Sequence, residues 1–409
     1  MVLDPRVKQL LLILLFAGSS IGIAVALYFM FFAPSTPGAE QTVPGQTAGT
    51  GTLPTSGAGT PRPTTPTTPT TPTDLGDLVA DGGVTQTNQL TTGRVSNVAL
   101  SGDGQNANFY NPNDGKFYTI DAEGNIVALS NTKFPEAESV EWNGDADKAV
   151  IEFPDGSNIV YDFGSETQVT LPKHWEDFEF SPTSDEIVAK SMGLDPNNRW
   201  LVVSNADGSN VQSLHALGEN ADKVTVAWSP NDQVIAFSDT ADQPAGGLDR
   251  QIILPVGKGE ENYPGLTVEG LFFTPNWSPD GKKLLYSVVG DYSDNKPLLW
   301  IVDATPATMG ENRRSLGINT WADKCVFASS SVAYCAVPQS LPANGGMQRV
   351  LYEDLPDSLY KIDLSKGSST LVAIPADDTT MNNLSVTEDA SLLYYTNGAT
   401  GTLESIRLK

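Results

Sequence analysis

The sequence predicts an all-β fold: a seven-bladed β-propeller of four-stranded antiparallel blades, preceded by one N-terminal transmembrane helix and a disordered linker. Three observations lead there. First, a strand–turn–strand unit recurs. Two copies match closely, VAWSPNDQVIAF at 226–237 and PNWSPDGKKLLY at 275–286, and related turns begin at Ser101, Asn143, Ser181, Ala328 and Thr387. Second, the residue before each of these seven turns is apolar: Leu100, Trp142, Phe180, Trp228, Trp277, Phe327 and Val386. Two positions earlier stand Val98, Val140, Phe178, Val226, Pro275, Cys325 and Leu384. Apolar residues two apart turn one face of a strand into a core. Third, a later landmark recurs, an apolar run ending at Asp121, Asp162, Asn205, Asp303 or Asp363, followed by a short strand at 125–129, 168–171, 210–214, 313–316 or 370–374. Asp or Asn near Gly suits the tight turn between two strands. Each unit is then four strands over about 38–59 residues, the size of a propeller blade.

Taken in order, the chain opens with residues 1–9, read as cytoplasmic because Arg6 and Lys8 precede an uncharged segment. That segment, residues 10–32, spans about 34 Å as a helix, enough to cross a bilayer. A cleaved signal peptide has a shorter apolar region and a small-residue cleavage site, whereas Tyr28, Phe29, Met30, Phe31 and Phe32 crowd this end. Residues 33–78 form a Thr/Pro/Gly-rich stalk, with PTTPTTPTTPT at 63–73. Such a stretch cannot bury enough apolar surface to fold, and its prolines keep it extended. The propeller is expected over 79–409.

Within it, the seventh unit shows only three strands, at 384–386, 392–395 and 403–408. Its fourth strand is expected from 84–92 (VTQTNQLTT), which resembles the other fourth strands and would close the ring. Closure removes a raw sheet edge.

The residues Trp228-Ser229-Pro230-Asn231-Asp232, Trp277-Ser278-Pro279-Asp280-Gly281-Lys282-Lys283 and Asn205-Ala206-Asp207-Gly208-Ser209-Asn210 resemble the TolB-type and WD-like propeller repeats of bacterial exported proteins. The resemblance covers about residues 84–409 and concerns the propeller alone. The same repeats occur in the non-catalytic propeller of prolyl-oligopeptidase-like peptidases, and no hydrolase domain follows here.

In a four-stranded blade the loops joining strands two and three share one face with the links between blades. Insertions on that face are longest in blades four to six: DTADQPAGGLDR (239–250), VGDYSDNKP (289–297) and PQSLPANGGMQRVLYEDLPDS (338–358). Loops on a rigid scaffold commonly carry binding residues. The candidates are Asp242, Asp249, Arg250, Asp291, Tyr292, Asp294, Tyr352, Glu353 and Asp354, with Tyr263 and Trp321 added as interface anchors from neighbouring inter-blade links. Cys325 and Cys335 flank one turn on adjacent strands, and two readings stay open: a disulfide, or two small core residues.

The chemistry classes narrow by composition. With 49 acidic against 24 basic residues and a formal charge of −25, no basic field exists to displace counterions from phosphate, so no nucleic-acid partner is expected. Two Cys and two His are too few for a zinc or iron–sulfur site, no stretch fits the twelve-residue calcium loop, and no metal or cofactor is expected. Neither His174 nor His215 lies near a G-x-S-x-G elbow, and there is no Walker A loop. No catalytic residue is assigned. The expected role is a membrane-anchored, extracytoplasmic, non-catalytic module at the cell surface that binds a protein or cell-envelope ligand. The alternative is a propeller hydrolase acting on glycans through a pair of acids, which no spacing in the sequence identifies.

Overall fold

The computed structural model describes residues 76–244, 250–259, 261 and 263–409. The expected span at 10–32, nearly all of the stalk and Asp249 lie outside these residues. Among the described residues no helix is long and apolar enough to cross a membrane.

Seven antiparallel sheets follow one another along the chain. Their first strands are Ser96–Leu100, Ser139–Trp142, Trp175–Phe180, Val224–Val226, Leu271–Trp277, Cys325–Ser329 and Met381–Val386. Each first strand is the inner edge of its sheet, and the following strands pair outward in sequence order, except that blade seven takes its fourth from the start of the fold.

The recurring turn explains why each sheet begins as it does. In blade four the Ser229 hydroxyl accepts the N–H groups of Gln233 (3.1 Å) and Val234 (2.9 Å) and donates to Asn231 Oδ1 (2.7 Å). In blade five Ser278 accepts Lys283 N–H (2.9 Å) and donates to Asp280 (2.8 Å). Ser101 and Thr387 take the same part in blades one and seven. One hydroxyl thus satisfies backbone donors that a tight turn leaves open. Blade six departs from the expected position. Its first strand runs on to Ser329 through a register shift between Phe327 and Ser329, so Ala328 is a bulged residue rather than the start of the turn.

The core lies between the blades. Seven buried apolar clusters each join two neighbouring sheets, from the Phe117, Phe134, Tyr161 and Phe163 aromatic group between blades one and two to the Leu359, Met381, Leu393 and Ile406 group between blades six and seven. The cluster of Val95, Ala107, Phe109, Ile120, Tyr394 and Leu403 joins blade seven to blade one, so the ring is closed by packing as well as by pairing.

The closing segment divides its work. Asn88–Gln89 pairs antiparallel with Leu403–Arg407 as the fourth strand of blade seven. Leu90 N–H donates to Leu403 O, and Thr91 Oγ1 accepts Leu403 N–H. Val84–Thr85 instead adds to blade six, as a fifth strand parallel to Ser368–Pro375. The expectation that all of 84–92 belongs to the last blade is therefore corrected. The segment is longer than a fourth strand needs, and its first residues bridge the gap to the neighbouring sheet.

Cys325 and Cys335 stand directly opposite in register and are bonded to each other inside the core between blades five and six. Replacing both by Ala is expected to lower stability by about 2–3 kcal/mol. Urea unfolding followed by tryptophan fluorescence measures it.

Candidate functional site

Two regions concentrate unusual groups: the central channel and the face carrying the long loops.

The channel side of blades two to five encloses about 850 Å³. The residues between the apolar pairs of the inner strands are part of its lining. In blades two to five these residues are Glu141, Glu179, Ala227 and Asn276. Glu179 accepts the backbone N–H of Trp228 at 2.7 Å. Burial pushes its carboxyl up to about 7, the Trp228 N–H opposing. Burial and the nearby charges of Glu179 and Glu152 push Glu141 up to about 8. Glu152 is raised as well, chiefly by burial. Beside them Lys190, itself buried, holds Asp177 at 2.6 Å. The wall is therefore acidic, with one ammonium already paired. Phe178 and Trp228 also line it, but both are buried in the inter-blade core instead of presenting a ring face. Among the described residues no group of three or more His, Cys, Asp or Glu side chains is placed to hold a metal ion.

The long loops lie where the strand order puts them, between strands two and three of blades four, five and six. Two of them are stitched together. Asn344 N–H donates to Asp294 O (2.7 Å), Gly346 N–H to Asn295 O (2.9 Å), and Asn295 Nδ2 to Asn344 Oδ1 (2.9 Å). The 3-10 segment Gly345–Tyr352 is pinned from below by Arg349. Its guanidinium pairs with Asp323 at 2.7 Å, lies over the Trp321 ring at 4.9 Å and reaches Glu353 at 3.8 Å. On its outer side Val350 is 79% exposed, Leu351 67% and Met347 43%.

The structure separates the expected binding residues. Asp242, Asp291, Asp294, Tyr352, Glu353 and Asp354 lie on the loops of this face, and Tyr292 stands edge-on to Trp300 with half its surface open. Two expectations are corrected, those for Trp321 and Tyr263, and Arg250 is found already paired. Arg250 pairs with Glu269 at 2.7 Å, a carboxylate shared with Arg313, and so ties blade four to the start of the blade-five outer wall. Trp321 is buried beneath Arg349 and anchors this chain, not a partner. Tyr263 is on the opposite face, because it lies between the third strand Arg250–Gly257 and the fourth strand Leu266–Glu269, and its hydroxyl donates to Gln233 O in the first turn (3.3 Å).

A third feature was not legible beforehand. Blades one, three, five and seven each carry one extra residue in the inner strand, and each bulge begins with a residue of positive φ: Asn97 (52°), Asp177 (54°), Phe272 (57°) and Asn383 (50°). Asn and Asp adopt that conformation at far lower cost than Phe. Phe272 is nonetheless 55% exposed, at the edge of a pocket of about 320 Å³ between blades four and five.

No protein-family model matches the sequence, and no curated protein is similar to it in sequence. Solved structures do share the fold. An oligogalacturonate lyase from Vibrio parahaemolyticus is 12% identical, with a TM-score of 0.55 over 78% of this chain and 93% of its own. The β-propeller domain of Cps50 (Swd1) from Myceliophteria thermophila is 12% identical, with a TM-score of 0.52 over 79% of this chain and all of its own. TolB from Acinetobacter baumannii aligns more loosely, at 13% identity and a TM-score of 0.43, over 70% of this chain and 66% of its own. The class is thus a seven-bladed propeller, a likeness of fold alone. Within that class the lyase is an enzyme by its name, so the fold is compatible with either kind of work.

Proposed function

We propose that this protein is a membrane-tethered recognition module, its propeller held outside the cytoplasm and docking a protein partner through the face of blades five and six. The observation that carries this is the stitched loop pair, which holds Met347, Val350 and Leu351 in water on a rigid base. An ordered apolar patch with a polar rim is what a protein interface needs. Asp291, Asp294, Glu353 and Asp354 lie on the same two loops, and the chain as a whole carries −25, so the complementary partner has an apolar centre and a basic rim. The uncharged segment 10–32 and the stalk supply the tether.

A photo-crosslinking residue placed at Val350 of the full chain, in intact cells, is expected to capture one discrete partner. The same residue at Glu123, in a turn on the opposite face, is expected not to. Met347→Asp with Leu351→Asp should abolish capture from Val350. Equal capture from both positions contradicts the reading.

The channel supports a second reading. A carboxyl near 7 beside one near 8 is suited to exchange protons with a substrate at neutral pH. A glycan-cleaving enzyme would use Glu179 and Glu141 in these roles. Against it, Phe178 and Trp228 on the wall are buried, and Trp277, which is half-buried, is stacked on Phe237. Turnover of neutral or uronate oligosaccharides that falls at least ~100-fold in Glu179→Gln decides for the enzyme.

A further inference from the structure

We propose that the pocket between blades four and five binds an ammonium group carried on an apolar or aromatic body. This rests on the reading of the protein as a recognition module and adds to it a second site and the chemistry that site selects.

The argument begins with backbone strain. Phe272 opens the blade-five bulge in a left-handed conformation that the equivalent bulges give to Asn or Asp. A bulky side chain there is strained. Burial does not offset it, since more than half of the ring is in water. The bulge also sits two residues farther from its Ser turn than those of blades one, three and seven, which brings the ring to the mouth of the pocket instead of deeper in the channel. Just before it, a Cβ at Gly270 would come within 2.7 Å of Val289 O, so the chain has little room to relax. A bulge is a device that re-aims a side chain, and here it aims an aromatic ring at a cavity.

The cavity is built for a ligand with two ends. Phe237 and Ile253, both buried, form an apolar floor, and Phe272 forms one wall. At about 320 Å³ it holds a phenyl- or butyl-sized group. At the mouth stand Asp222 and Asp239 against one ammonium, Lys223. Gln251 Nε2 donates to Asp239 Oδ2 at 2.6 Å and fixes the direction of that carboxylate. Burial raises the Asp239 carboxyl, opposed by Lys223 and by the Gln251 bond, so an incoming cation relieves a desolvated charge. An aromatic face beside two carboxylates attracts a cation both directly and through the ring. The strongly negative chain concentrates cations around it and repels anions.

The test is calorimetric titration of the full chain with three probes: phenethylamine, phenylacetate and the blocked dipeptide acetyl-Phe-Lys-amide. A cationic probe is expected to bind at least about tenfold more tightly than phenylacetate. The tighter of the two cations tells whether the natural ligand is a free amine or a lysine side chain on a peptide. Phe272→Asn is expected to raise the melting temperature while weakening the cation at least about tenfold. Asp239→Asn should weaken it as well, with melting unchanged within a degree or so. Failure of both cations to bind, equal binding of phenylacetate, retained affinity in Phe272→Asn, or a lower melting temperature in that variant overturns the proposal. Phe272 and Asp239 lie outside the blade-six insertion, so crosslinking from Val350 can succeed while this proposal fails.

Discussion

Lys324→Met is expected to destabilise the protein by about 3–5 kcal/mol. Lys324 sits in the link Ala322–Lys324 that leads into blade six, and its ammonium is 2.5 Å from Asp357 Oδ2. Both groups are almost wholly out of water, at 7% and 0% exposure. The same carboxylate oxygen accepts the N–H of Met381, the first residue of blade seven's inner strand, at 2.8 Å. One ion pair therefore ties a link, blade six and blade seven together. Burial pushes the Asp357 carboxyl up, opposed by the Lys324 ammonium and the Met381 N–H. Removing the ammonium leaves a charge without its partner in a dry site, and the other oxygen of Asp357 already lacks a hydrogen bond. Replacing both residues, Lys324→Met with Asp357→Leu, should cost clearly less than the sum of the two single changes. A urea-unfolding double-mutant cycle checks this. Additive losses would mean that the pair is not coupled.

Glu141→Gln is expected to stabilise the fold at pH 8 by about 1–3 kcal/mol and to leave it unchanged near pH 4.5. The native Glu141 carboxyl titrates near 8 against 4.5 for the free group. Between those values the folded protein holds a proton that the unfolded chain has released. Stability is therefore full below about pH 4.5 and falls as pH rises through 8. The figure is kept below the full linkage value because the side chain is only half-buried and opens on channel water. Glu179 adds a smaller contribution of the same sign, ending near pH 7. Urea unfolding at pH 5 and pH 8 separates wild type from Glu141→Gln. Parallel pH profiles for the two proteins would show that the channel carboxyl is not held neutral.

How much of this was written in the sequence varies with the range of the contact. The turns are local. A hydroxyl followed by Asx locks backbone donors within five residues, and Ser229 and Ser278 could be read from that spacing alone. The apolar residues flanking Glu141 and Glu179 are equally legible, yet nothing in the sequence singles out the acids between them. Only closure of the ring turns that solvent side into a narrow channel, and closure depends on residues far apart in the chain. The place of Tyr263 depends on where the third strand of blade four ends, and that strand continues through Gly257 despite the Pro255-Val256-Gly257 sequence. Trp321 reads as an exposed anchor until Arg349, from the next blade's insertion, is seen to lie over it. Phe272 escaped notice because one inserted residue in a strand changes neither composition nor pattern enough to register. Site residues set by non-local contacts were thus lost, and blades set by local ones were found.

Asn88→Cys with Ser405→Cys tests the closed ring most directly, since these residues stand opposite each other across the seam. Mass mapping of the oxidised, natively folded chain is expected to find an intramolecular 88–405 bond alongside 325–335. Free thiols at both positions, or a bond only between molecules, would contradict a propeller whose last blade is completed by the start of its own fold.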